Sequence, residues 1–317
     1  MDEVRRLADA VLYEGHVLWP YRRSSIKNRQ RWTFGGVYPS EYARTTADRS
    51  AVQIECLVEG ARPVVDVAVR CLQAVHRQAV RGASREPVDE LPGHLTWDEA
   101  TERSFTASVG SGEVRRAAMD VAEGSATEPV DGGALVRTWE RLVGHVEASV
   151  DPLTAGLHRV RVRIVNECDS PQTDRDSAVR RTFLSAHAVL RAREGEFVSS
   201  TDPPDNLRPA VDALHNEGLW PVLVGAQGDR STMLAAPIIL EDYARVAPES
   251  PGDFFDGGEI DQLLVLNLLG LTDDEKRELR AGDPRAREIL DRTEAMTDEQ
   301  MARLSGAIRD LRPAAGV

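Results

Sequence analysis

Alternation with a period of two runs through much of the chain. In "SAVQIECLVEG", Val52, Ile54, Cys56 and Val58 share one side, while Gln53, Glu55 and Glu59 share the other. That is the signature of a half-buried strand. After the turn residues "GARP", the run "VVDVAVRCLQ" sets Val65, Val67, Val69 and Cys71 against Asp66 and Arg70. The two runs are therefore expected to pair as a hairpin. "LHRVRVRIVNE" places Val160, Val162 and Ile164 inward and Arg159, Arg161 and Arg163 in an outer cationic row. "RTFLSAHAVLRA" alternates Leu184, Ala186, Ala188 and Leu190 with Ser185, His187 and Val189, which sets His187 on the non-core face, in a position to line a cleft.

Other stretches are less decided. "ALVRTWERLVGHVEASV" fits an amphipathic helix, yet its valines also allow a strand. Gly82 to Asp131 is rich in Gly, Ser, Pro and acids and reads as short strands joined by loops. "DAVLYEGHVLWPY" reads as a short helix or strand ended by Pro20. "TDPPDNLRPAVDALHNEG" predicts a helix that terminates at Gly218, and "WPVLVG" and "STMLAAPIIL" predict short buried strands. Beyond these the capping-box spacing recurs at Asp256 with Glu259, Thr272 with Glu275 and Thr297 with Gln300, and Asp283–Pro284 marks a fourth helix start. The expected fold class is α+β: a β-rich antiparallel N-terminal and middle region over 1–240, for which two packed sheets are one arrangement, then an acidic loop and C-terminal helices over 241–317.

Composition narrows the function classes. The 317 residues carry 39 basic and 52 acidic side chains, a formal net charge of −13, so general binding to nucleic acid or anionic membrane is disfavoured. The longest apolar run, "LLVLNLLGL", is far short of the roughly 20 residues that span a bilayer, and no secretory signal stands at the N-terminus. A soluble, cytoplasmic protein without a membrane span is expected. Cys56, Cys71 and Cys168, widely spaced and odd in number, suit reduced core thiols better than a disulfide framework.

Against that negative background one stretch is inverted. "WPYRRSSIKNRQRW" holds five cations, and no acidic residue occurs from Gly15 to Ser40. Arg22, Arg23, Lys27, Arg29 and Arg31, with Ser24, Ser25 and Asn28 as neutral hydrogen-bonding groups and Trp32 as an aromatic frame, form a candidate binding site for an anionic group or an acidic partner surface. The competing reading is a solvated loop that pairs with the chain's own excess acids. Ser24 and Lys27 also spell Ser-x-x-Lys, but the Ser-Asp-Asn and Lys-Thr-Gly companions of serine acyl-transferases are absent. Glu249, Asp253, Asp256, Glu259 and Asp261 supply oxygen ligands for a hard cation without matching an EF-hand, and helix capping accounts for two of them. No metal site, cofactor or catalytic residue is assigned.

The segments "WPYRRSSIKNRQRWTFGG", "NEGLWPVLVG", "MLAAPIIL" and "APESPGDFFDGGEIDQLLVL" resemble a bacterial family associated with actinobacterial-type NiFe-hydrogenase gene clusters. The resemblance implies an accessory role in hydrogenase assembly or maturation, with a hydrogenase component as protein partner, and supplies no catalytic residue to carry over. The expected function is a non-enzymatic accessory or scaffold protein that docks an acidic partner or anionic group through the basic segment. The alternative is an enzyme acting on an anionic small molecule in a cleft where Lys27, Arg31 and the carboxylates of 249–261 converge.

Overall fold

The structure, a computed structural model, describes residues 2–14, 34–169, 174–244, 268–282 and 284–297. It is a β-rich α+β fold in which two antiparallel sheets pack face to face. The first sheet has the order β13 (Glu196–Phe197), β1 (Ala51–Glu59), β11 (Leu157–Asn166), β10 (Leu142–Thr154), β7 (Val114–Val121). The second runs β14 (Trp220–Leu223), β15 (Thr232–Ala236), β12 (Leu184–Arg193), β2 (Val64–Arg81), β9 (Gly133–Trp139), β8 (Gly124–Val130). The 18-residue β2 is its spine. It pairs β12 and then β9 along one edge, and β6 (Trp97–Gly110) and then β3 (Glu86–Val88) along the other.

The alternating patterns explain the core. Val52, Ile54, Cys56 and Val58 of β1 and Val160, Val162 and Ile164 of β11 meet Val65, Val67, Val69 and Cys71 of β2 and Ala186, Ala188 and Leu190 of β12, all essentially excluded from solvent. Burying each Val or Ile contributes roughly 1.5–3 kcal/mol. The expected β1–β2 hairpin does not form. β1 pairs β11 and β13, whereas β2 belongs to the other sheet, so the turn at Gly60–Pro63 is an arch between sheets. Two strands with one apolar face each satisfy their burial equally well as sandwich partners or as neighbours, and here the facing arrangement is realised. The undecided stretch 134–150 also divides as an arch: β9 lies in one sheet and β10 in the other, with the break at Glu140–Arg141. Gly82 to Asp131 holds longer strands than expected, including the 14-residue β6.

Short elements cover the outer faces. Helix α1 (Asp2–Tyr13) lays Leu7, Ala8 and Val11 on Val222, Leu234 and Ala236 of the second sheet. Its last turn, Leu12 and Tyr13, packs with Tyr38, Leu72 and Leu184, and with Tyr42 of the one-turn α2 (Ser40–Ala43) and Val179 of α3 (Arg175–Val179). On the first sheet Leu57 and Leu157 are covered by Leu207, Val211 and Leu214 around the short α4 (Arg208–Asp212). That helix is shorter than expected, and Gly218 closes the segment with a positive φ of 76°.

Near the C-terminus α5 (Asp273–Gly282) and α6 (Pro284–Glu294) form a helical pair. The Thr272 capping box is realised: the Glu275 carboxylate accepts from Thr272 N at 2.8 Å, and Thr272 Oγ1 accepts from Glu275 N at 3.3 Å. Buried Arg77 ties the pair to β2, donating to the terminal carbonyls of α5 at Ala281 (3.1 Å) and Gly282 (2.6 Å) and to Glu99 (2.7 Å). Among the described residues no helix is long and apolar enough to cross a membrane.

Candidate functional site

All nine residues of the basic site, Arg22, Arg23, Ser24, Ser25, Lys27, Asn28, Arg29, Arg31 and Trp32, lie outside the described residues, as do the acids Glu249, Asp253, Asp256, Glu259 and Asp261. The described flanks of the basic segment are fixed. On one side α1 ends at Tyr13 against Leu184 and Leu72. On the other, Gly35 O accepts from Ala186 N at 2.9 Å and Val37 exchanges backbone bonds with Phe183, so both flanks abut β12.

His187 is where the sequence put it, on the face of β12 away from the sandwich core, but it lines no cleft. Helix α1 covers that face and leaves the imidazole fully buried. Its Nδ1 lies 3.1 Å from Ser185 O, its Nε2 has no hydrogen-bond partner, and cross-strand Arg70 binds Asp9 of α1 and Glu102 of β6. The three cysteines are free and buried, and burial raises the pKa of each thiol, which makes them poor nucleophiles. Among the described residues no group of three or more His, Cys, Asp or Glu side chains could hold a metal ion.

The arginine row of β11 is present on the outer face of the first sheet, and its members have different fates. Arg161 faces Glu55 of β1 across the ladder and donates to its buried carboxylate at 2.7 Å. Burial alone would raise the pKa of Glu55, but the bond from His215 N at 3.0 Å, with Arg161 and Arg159, overcomes it and holds the carboxyl below its usual value. Arg159 reaches Asp151 at 3.4 Å. Arg163 sits between Gln53 and Glu147 and makes no ion pair among the described residues. Two of the three arginines in the row are thus paired with the chain's own acids.

Arg163 forms one wall of an open groove of about 490 Å³. The other walls come from α2 and the turn after it, which contribute Arg44 and Arg49. Local packing sets this turn. Tyr38 and Tyr42 are in ring contact with centroids 5.2 Å apart, and Tyr38 N donates to Arg49 O at 2.7 Å. Arg44 Nε donates to Ser40 O at 3.2 Å, while Arg49 lies 3.5 Å from Glu217, both side chains about half exposed. Three guanidiniums and the carboxylates of Asp48 and Glu217 therefore line the groove, with Ala43, Ala51 and Val52 between them. Such a set can grip carboxylate or phosphate oxygens in bidentate fashion. The sequence named Arg163 only as part of a row and passed over Arg44 and Arg49. The readable signal was their position, a few residues downstream of the acid-free stretch.

A larger cleft of about 1300 Å³ opens between the hairpin β4 (Glu90–Leu91) and β5 (His94–Leu95) and helices α5 and α6. Its charges are mixed: Arg81, Arg277 and Arg287 face Asp89, Glu90 and Glu278, and Arg277 already pairs with Asp274. It does not select a sign of ligand. No protein-family model matches the chain, and no curated protein matches it significantly.

Proposed function

We propose that the protein is a non-enzymatic accessory or scaffold protein that docks an acidic partner or anionic group through the basic segment "YRRSSIKNRQRW". A place in NiFe-hydrogenase assembly or maturation, with a hydrogenase component as the partner, is what the family resemblance implies. The carrying observation is charge segregation. A chain of net charge −13 gathers five cations between Arg22 and Arg31 with no carboxylate from Gly15 to Ser40. Among the described residues many arginines are paired with acids: Arg161 with Glu55, Arg137 with Glu99 and Glu128, Arg141 with Asp120, Arg193 with Asp66. A cationic stretch without local counter-charges favours encounter with an acidic surface and gives binding that weakens with salt.

The test is affinity purification from native cells of the wild-type chain and of Arg22→Glu/Arg31→Glu, with salt steps from 50 to 500 mM. Loss of a co-purifying hydrogenase component in the variant, and its elution by salt from the wild type, is expected. An unchanged set of co-purifying proteins would refute the docking role.

A further inference from the structure

We infer that the Arg44–Arg49–Arg163 groove takes an acidic polypeptide segment of the partner. The inference rests on the docking reading above and adds the site and the chemistry of what fills it. Arg163 stands on β11, an inner strand held by β1 and β10, and Arg49 is fixed through its carbonyl by Tyr38. The guanidiniums are therefore presented by an ordered frame, which lowers the entropic cost of using them.

Two of the three also carry no ion pair. Neither Arg44 nor Arg163 makes an ion pair among the described residues, although Arg159 and Arg161 of the same row do. The pair inside the groove, Arg49 with Glu217, is half exposed, and such solvent-screened pairs are weak, so an incoming carboxylate displaces little.

The lining favours a peptide over a small inorganic anion. Ala43 and Ala51 put apolar surface beside the arginines, which matches the methylene groups of glutamate side chains and has no counterpart on phosphate.

Fluorescence anisotropy with a fluorescein-labelled deca-glutamate peptide and the full chain tests this. Arg44→Glu/Arg163→Glu should weaken binding at least tenfold, and Arg44→Gln/Arg163→Gln, a milder change should the first variant misfold, at least threefold. Arg62→Glu/Arg115→Glu, an equal charge change away from the groove, should stay within twofold of wild type. Circular dichroism and the melting midpoint check the fold of each variant. Unchanged binding by the groove variants, or an equal loss in the Arg62/Arg115 control, would overturn the inference. Displacement of the peptide by low-millimolar inorganic phosphate would also overturn it, by showing a small-anion site. Failure of the basic segment alone has a separate signature: Arg22→Glu/Arg31→Glu then binds like wild type while the groove variants do not.

Discussion

Replacing His187 should remove a defined share of the protein's acid sensitivity. The imidazole is fully buried beneath α1, with Nδ1 3.1 Å from Ser185 O. A carbonyl can only accept, so Nδ1 carries the proton and Nε2 is a bare lone pair with no partner. Burial pushes the pKa from 6.5 down to about 4, against the pull of Ser185 O. The cross-strand Arg70 guanidinium lowers it further, and Asp9 of α1 opposes that. Glu102 of β6 faces the same group by binding Arg70. In the unfolded chain the group titrates near its ordinary value, so between those two values the unfolded state holds the extra proton. Stability is therefore complete above pH 6.5 and drains away as the pH falls toward 4. The full window corresponds to about 3 kcal/mol, and the span from pH 8 to pH 5 to about 2 kcal/mol. Urea unfolding of wild type and His187→Leu at pH 8, 7, 6 and 5 isolates this contribution, because every other titrating group is common to both. The variant should gain about 2 kcal/mol on wild type between pH 8 and pH 5. Parallel stability curves would refute the buried, neutral imidazole.

Other perturbations probe the frame and the groove. Arg77→Met strips the terminal carbonyls of α5 of their donor and should cost about 3 kcal/mol, with faster proteolysis of the α5–α6 pair; native-like protease resistance would contradict that anchoring. Glu55→Ala leaves Arg161 and the His215 amide without their acceptor and should cost about 3 kcal/mol in urea unfolding at pH 7. Thr272→Ala breaks the capping box, and about 1 kcal/mol should be lost, read from the melting midpoint. Gln53→Glu sets a carboxylate opposite Arg163 and should change stability by less than about 1 kcal/mol while weakening deca-glutamate binding severalfold; unchanged binding would show that Arg163 does not hold the peptide.

What the sequence made legible was burial, and what it hid was pairing. The inward positions of β1, β2 and β11 follow directly from alternation, because a strand with one apolar face must turn that face to the core whatever its neighbours. Alternation carries no information about which strand lies alongside, so the hairpin expected for β1 and β2 is an arch, and β9 and β10 separate at Glu140–Arg141. The covering of His187 was hidden for a similar reason: a non-core face of a strand reads the same in sequence whether water or a helix lies on it, and only the end of α1, from Asp9, fell within the stretch read as a short helix or strand. The Thr272 capping box was legible because its interactions are local. The groove was not, since Arg44 and Arg163 are far apart in the chain and meet only through the pairing of β1 with β11.

That pairing also decides which arginines remain available. In the β1–β11 register Glu55 stands opposite Arg161 and Gln53 opposite Arg163, so two consecutive outward positions of β1 treat two consecutive arginines of β11 in opposite ways. A carboxylate at 55, itself buried, consumes its half-exposed partner and also fastens the His215 turn to the sheet. A neutral amide at 53 leaves its partner's charge facing solvent. On the other flank Glu147 lies beside Arg163 without closing an ion pair. Had the row served only to neutralise the acids of the sheet, an acidic residue at 53 would have completed it at little cost, since exposed cross-strand pairs are mildly favourable. The break in the pattern falls where Arg44 and Arg49 approach from the α2 turn, so three guanidiniums gather at one concave point of the surface against the two carboxylates of Asp48 and Glu217.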